Sequence, residues 1–339
     1  MKTTNLVTHL LDRSRIGDSK ALGSLLAVAG LFLTAAARVS FGGVEIYPRV
    51  GYQATLSTQA HGVSGRVTIV DQDTFRIDNF NYDGGGISVY AYLGTANNHA
   101  AFVNGLQTGP QLLGMHFHNG TLIVDLPAGQ TLDGYNAISI WCVAAQSSFG
   151  SGTFQPPSYP RAGYSAVLAQ GGHNTSGVAT IVDERTIRLT DFTYDGFAPQ
   201  VYAHLGRNDY YPDLAAGPRM FPQLTQAYSD DTLIVQLPMG ESLDGYGAIS
   251  IWCETFNINF TSNEFPRPPH DLDIDGDIDL DDAALFSSCH LGPETFQPET
   301  AICTDSDMDN DDDVDLQDFS IMLECFDGAG VRALPGCRS

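Results

Sequence analysis

The sequence predicts a mainly β protein: two homologous β-sandwich or barrel domains in tandem, then a small α loop–helix module. Three observations predict it. Blocks of the first half of the chain recur about 112 residues later. Within each copy, short β-branched and aromatic runs alternate with Asp-Gly and Asn-Gly turns, and no sustained helical period appears. The last 70 residues then change character, with nineteen acids against two bases, Arg332 and Arg338.

The amino-acid balance excludes several functions. The 339 residues carry a net charge of −24, so nucleic acid bound through a basic surface is not expected. The only lysines are Lys2 and Lys20, which leaves no lysine beyond the leader for a Schiff base or a phosphate loop. No nucleophile elbow, HExxH helix, phosphate loop or dinucleotide fingerprint occurs. Catalysis is therefore not the expected function, beyond an accessory role in electron transfer.

The first element, 1–37, reads as a signal peptide. Lys2, Arg13, Arg15 and Lys20 precede the apolar run Ala21–Ala37, which ends in small residues. Cleavage would leave no transmembrane segment and a secreted, extracellular or cell-surface protein, in which disulfides are permitted.

The second and third elements are the copies, 45–155 and 159–265. YPRVGY (47–52) recurs as YPRAGY (159–164), and the block His61–Gly84 recurs as His173–Gly196. Val89–Gly94 recurs as Val201–Gly206, and Thr121–Pro127 as Thr232–Pro238. Leu132–Cys142 matches Leu243–Cys253 at ten of eleven positions. In the first copy Arg66–Val70 and Thr74–Ile77 predict a hairpin about Asp71-Gln72-Asp73. Ile87–Leu93, Thr121–Leu126 and Ala137–Cys142 predict further strands. A strand alternates its faces, so Cys142 shares the core face with Ile138 and Ile140, and Cys253 shares it with Ile249 and Ile251.

Five ordered blocks, present twice, resemble the DM-thirteen domain. They are S-G-x-x-T-I-V (Ser64–Val70), F-x-Y-D-G (Phe80–Gly84), V-Y-x-x-L-G, L-I-V-x-L-P and I-S-I-W-C. The resemblance implies an extracellular electron-transfer β domain whose single cysteine does redox work or holds a prosthetic group. Cys142 and Cys253 are the positions concerned, with His61 and His173 as in-register partners. The residues themselves leave three readings open for each thiol: an inert core residue, a redox or ligand group, or a Cys142–Cys253 bridge. The histidines beside their turns equally suit a plain surface loop. His116 and His118, two apart on a strand, could chelate copper or zinc; the second copy has Ala227 and Ser229 there.

Residues 266–270 form a Pro-rich linker into the last element, 271–339. There the spacing of a twelve-position calcium loop occurs twice. Asp271, Asp273, Asp275, Asp277, Asp279 and Asp282 take positions 1, 3, 5, 7, 9 and 12, with Gly276 at the sharp turn. Asp307, Asp309, Asp311, Asp313, Asp315 and Asp318 repeat the pattern, with Asp312 in place of the glycine. Two calcium ions are expected, the second held more weakly. Each loop leads into a short helix and neither shows a convincing entering helix. This arrangement resembles a type I dockerin, which implies an EF-hand-type assembly module and a cohesin-like or cell-surface protein partner. Positions 10 and 11, where such a partner would bind, are Leu280-Asp281 and Leu316-Gln317. The repeat of cysteines favours the bridges Cys289–Cys303 and Cys325–Cys337 among the three possible pairings. The expected function is a secreted calcium-binding protein with two redox domains and an assembly or anchoring module. The alternative is a non-catalytic extracellular binding or structural protein with inert or structural cysteines.

Overall fold

A computed structural model of the chain describes residues 40–41, 44–45, 47–292 and 300–333. The expected leader at 1–37 and Cys337 lie outside the described residues. A two-residue hairpin, β1 (Ser40–Phe41) and β2 (Val44–Glu45), precedes the first copy.

Copy one contains β3 (Gln53–Thr58), β4 (Ser64–Ile69), β5 (Thr74–Tyr82), β6 (Val89–Gly94), β7 (Leu106–Thr108), β8 (Phe117–Asp125), β9 (Ala137–Cys142) and β10 (Ser147–Thr153). A five-residue helix, α1 (His99–Val103), sits between β6 and β7. The strands form one antiparallel sheet in the order β7-β6-β9-β10-β3-β4-β5-β8. The hairpin about Asp71-Gln72-Asp73 forms as expected, with Ile69 opposite Phe75. The Asp71 side chain closes that turn by accepting from the Asp73 N–H at 2.9 Å.

Copy two repeats the set as β11 (Ser165–Leu168), β12 (Ser176–Asp183), β13 (Thr186–Tyr194), β14 (Val201–Gly206), β15 (Arg219–Leu224), β16 (Tyr228–Gln236), β17 (Ala248–Cys253) and β18 (Ile258–Glu264). The helix between β14 and β15 is α2 (Tyr211–Ala216). Its order is β11-β12-β13-β16-β15-β14-β17-β18, the same ring cut at a different place. Copy one pairs β10 with β3 and does not pair β7 with β8, whereas copy two joins β15 to β16 at Phe221 and Gln236. Its own seam is tied by side chains: Thr261 Oγ1 donates to the Ala169 carbonyl at 2.7 Å, and Asn263 Nδ2 to the Val167 carbonyl at 2.8 Å. The expected sandwich or barrel is thus a single curled sheet per copy, which satisfies most edge groups within the ring.

The I-S-I-W-C strands lie at the centre of this arrangement. Ile138, Ile140 and Cys142 enter the barrel core, as the alternation predicts. Trp141 faces the other way, onto Phe102 of α1, so β9 is buried along both faces. In copy two Trp252 packs on Leu214 of α2 in the same manner. Asn98 starts α1 by accepting from the Ala101 N–H, a capping bond that offsets the weakness of so short a helix.

The two copies meet through a reciprocal pair of ion pairs, one buried and one partly buried. Arg76 donates through Nη2 to Asp183 at 2.7 Å and through Nε to Asp78 at 2.6 Å. Arg188, its repeat equivalent, meets Asp71, the equivalent of Asp183, at 2.6 Å. Val70, its equivalent Val182 and Val50 pack in one small cluster. Each partner thus presents the same patch to the other, the signature of two-fold packing between covalently linked copies. Burial opposes the charge of Arg76, but Asp183 and Asp78 more than offset it and hold its pKa above the ordinary value.

The C-terminal module contains α3 (Leu280–Cys289), α4 (Ala301–Ser306) and α5 (Leu316–Leu323). Leu272, Ile278, Phe286, Val314 and Met322 form its small core. The expected Cys289–Cys303 bridge is present. Cys325 is also disulfide-bonded, and Cys337 lies outside the described residues. One expectation needs correction: α4 ends at Ser306 and enters the second acidic loop directly. It spans six residues with only Cys303 and Ser306 buried, too short for its apolar period to be read in the sequence.

Candidate functional site

Cys142 and Cys253 end their strands as unpaired thiols, so no bridge joins the two copies. Their surroundings differ. Cys253 is fully buried, and its Sγ donates to the Pro199 carbonyl at 3.2 Å. Cys142 lies against the turn that follows β9. Burial acts to raise its pKa, but backbone N–H groups of Ile87, Ala145, Ser88 and Ala144 outweigh it and hold the thiol below its ordinary value. Tyr82 lies close enough to Cys142 for a thiolate there to help raise its hydroxyl, after burial and Asp83, to about 12.

His61 and His173 do not reach sulfur. His61 Nδ1 lies 3.0 Å from Asp83, and its ring packs 4.3 Å from Phe149. His173 repeats this with Asp195 at 3.0 Å and Phe260 at 4.6 Å. Both histidines take left-handed backbone, φ 54°, at the start of the turn. Asp83 also accepts from the Gly85 N–H at 2.8 Å, and Asp195 from the Phe197 N–H at 3.0 Å. These aspartates recur 112 residues apart inside Asp-Gly pairs, which reads as turn chemistry alone. Their pairing with the histidines needs the fold, because 22 residues separate the partners.

The acidic loops match each other bond for bond at a spacing of 36. Asp271 accepts from the N–H groups of Asp275 and Gly276, and Asp307 from those of Asp311 and Asp312. Asp282 accepts from Leu272 at 2.6 Å and Asp279 at 2.8 Å; Asp318 does so from Met308 and Asp315 at the same distances. Position 6 is left-handed in both loops, φ 97° at Gly276 and φ 73° at Asp312. One carboxylate oxygen each from Asp271, Asp273 and Asp282 lies within 4.8 Å of the others, as do those of Asp307, Asp309 and Asp311. Asp273 and Asp277 each keep a buried oxygen without a hydrogen-bond partner. Burial first, and then repulsion from Asp282, push the Asp271 carboxyl up to about 7. The clustered carboxylates of the first loop are largely buried, whereas Asp309 and Asp311 of the second are exposed.

The first loop is docked on copy two, which its sequence does not announce. Arg161, the arginine of YPRAGY, is buried and donates to the carbonyls of Leu243 at 2.8 Å, Ile274 at 3.0 Å and Tyr246 at 2.7 Å. Arg207 donates to the Leu272 carbonyl at 2.9 Å, and Arg267 to Asp305 at 2.9 Å. A Cβ on Gly276 would stand 2.4 Å from Arg161 Cγ. Gly276→Ala is therefore expected to cost more than the ~1–2 kcal/mol of a left-handed Cβ alone. Gly62→Ala, at φ 63° with open space around it, should show only that conformational cost. Thermal melts of the two variants should separate; equal losses would mean that Arg161 gives way freely.

Two tandem curled antiparallel sheets, each carrying one unpaired thiol at the end of a Trp-Cys strand, define a class of paired thiol-bearing β domains. The profile of the electron-transfer DM13 family matches residues 55–154 and 167–265, and the chain belongs to that family, with two domains in tandem. It is similar to Protein Skeletor of Drosophila melanogaster: 30% identical over 254 residues to isoforms B/C and to isoforms D/E. The match covers 71% of this chain but 32% of isoforms B/C and 17% of isoforms D/E. No solved structure matches the chain. Among the described residues, no helix is long and apolar enough to cross a membrane.

Proposed function

We propose that the chain is a secreted, calcium-binding electron-transfer accessory protein whose working thiol is Cys142. The observation that carries this reading is an unpaired thiol at the end of the Trp-Cys strand, held below its ordinary pKa by nearby backbone amides, inside a domain of the electron-transfer DM13 family. Cys142 either exchanges electrons itself or binds a redox prosthetic group. Cys253, donating to a carbonyl in a sealed core, serves copy two as a structural thiol. The alternative of an inert, non-catalytic binding protein draws its support from that second copy. Alkylation with iodoacetamide, followed by mass spectrometry on the full calcium-loaded chain, tests the proposal. Cys142 should react at least about tenfold faster than Cys253 at pH 7 and keep reacting at lower pH. Equal rates at both thiols would overturn it.

The module completes the reading. Asp271, Asp273, Asp275, Asp277, Asp279 and Asp282 would hold one calcium, and Asp307, Asp309, Asp311, Asp313, Asp315 and Asp318 a second. The partnerless oxygens of Asp273 and Asp277 support the first site. Calcium would neutralise the loops and keep α3 and α5 in place. The exposed Leu280 and Leu316 at loop position 10 would face a cohesin-like or cell-surface protein. Asp271→Ala combined with Asp275→Ala should abolish the tighter site in a calcium titration. An unchanged titration would refute the assignment of loop positions.

A further inference from the structure

The histidines of copy one gather where neither the thiol nor the calcium module needs them. Phe117 turns inward onto Phe80, with ring centroids 4.7 Å apart, so its neighbours, His116 just before β8 and His118 within it, stand outward. Phe117 pairs with Tyr82 of β5, and Asn81 of β5 and Asp83 just after it flank the same cleft. His61 reaches it from the turn before β4. His61, Asp83, His116 and His118 together line one cleft of about 370 Å³. The His116 ring lies over Gly84, with its Nε2 3.2 Å from where a Cβ would be.

We infer that this cleft is a binding site for a divalent transition-metal ion of the imidazole-preferring class, zinc or copper(II). His61, His116 and His118 are the nitrogen donors. Imidazoles with a carboxylate at hand suit these ions over calcium or magnesium. The hydrogen bond between His61 Nδ1 and Asp83 has a specific meaning here. It orients the ring and leaves Nε2 as the nitrogen for a metal, the carboxylate–histidine arrangement that supports metal ligands. Asp83 also accepts from the Gly85 N–H at 2.8 Å, which fixes the carboxylate against the His61 ring. Among the described residues, only carboxylate groups converge within 4.8 Å, so a metal here would draw its imidazoles inward. His116 and His118 are exposed, and rotation of exposed side chains costs little. Copy two keeps the His173–Asp195 pair but carries Ala227 and Ser229 in place of the two histidines, so the site belongs to copy one.

Titration of the untagged, calcium-saturated full chain with zinc by calorimetry, and with copper(II) by visible absorption, tests the inference. One metal should bind per chain. The double variant His116→Ala/His118→Ala should weaken binding by more than about 100-fold, since losing even an outer-shell partner costs about 10–100-fold. Asp83→Asn should weaken it by about tenfold or more through the loss of His61 orientation. The reverse change, Ala227→His/Ser229→His, should raise the stoichiometry from one to two. Unaltered circular dichroism of each variant keeps the comparison on binding. Binding that survives His116→Ala/His118→Ala, or no stoichiometric binding by the unmodified chain, would overturn the inference.

Discussion

Replacing Arg76 with alanine is expected to lower stability by about 3–5 kcal/mol, the usual loss when one partner of a buried ion pair is removed. The magnitude comes from what remains behind. Asp183 is 1% exposed and Asp78 7%, and both would keep a carboxylate facing the space the guanidinium had filled. Thr186 would lose its 3.1 Å bond from Nη1 as well. Arg66 is the contrasting case at the same junction. It meets Glu184 at 3.2 Å, but more than a third of each side chain is exposed, so Arg66→Ala should cost less than about 1 kcal/mol. Denaturant midpoints of the two variants decide the matter. Equal small shifts would mean that the buried pair contributes nothing beyond a surface contact.

The second large effect is the response of the module to calcium and pH. In the metal-free chain, Asp271 is pushed up to about 7 and Asp277 to about 6, in each case mainly by burial, and Asp273, Asp275 and Asp282 are raised as well. A carboxyl whose folded pKa exceeds its unfolded value favours the fold while it is protonated. The stability it lends is whole near pH 4 and is lost as pH rises through about 7. With a chelator, amide protection across 271–292 and 300–333 should therefore fall between pH 5 and pH 8. Calcium should reverse this at pH 8, by about 2.7 kcal/mol per site at 100 times the dissociation constant. Because Arg161 grips the Ile274 carbonyl, loss of protection should spread to the adjoining end of copy two and spare copy one. A protection pattern indifferent to calcium at pH 8 would sink the assignment of these carboxylates to a cation.

The strand reading succeeded where local chemistry and the tertiary environment agree. The Asp71-Gln72-Asp73 hairpin and the inward face of Ile138, Ile140 and Cys142 follow from turn residues and alternation. β10 escaped notice because Ser147–Thr153 is Ser- and Gly-rich. Its glycines are required by the neighbouring strand: a Cβ on Gly152 would stand 2.5 Å from the Thr55 carbonyl oxygen. α1 and α2 escaped because five or six residues cannot display a helical period.

By itself the sequence determined what depends on spacing along the chain: the tandem repeat, the strand faces, the two Asp loops and the cysteines placed to bridge within the module. The tertiary structure alone decided what depends on residues far apart in sequence. It paired His61 with Asp83, brought His116 and His118 to the same cleft, and set Arg76 against Asp183 across 107 positions. It also gave two identical I-S-I-W-C strands opposite surroundings, amide N–H groups at Cys142 and a carbonyl at Cys253. The physical reason is that local sequence sets backbone geometry and side-chain alternation. The electrostatic character of a buried atom depends on which distant groups the fold turns toward it.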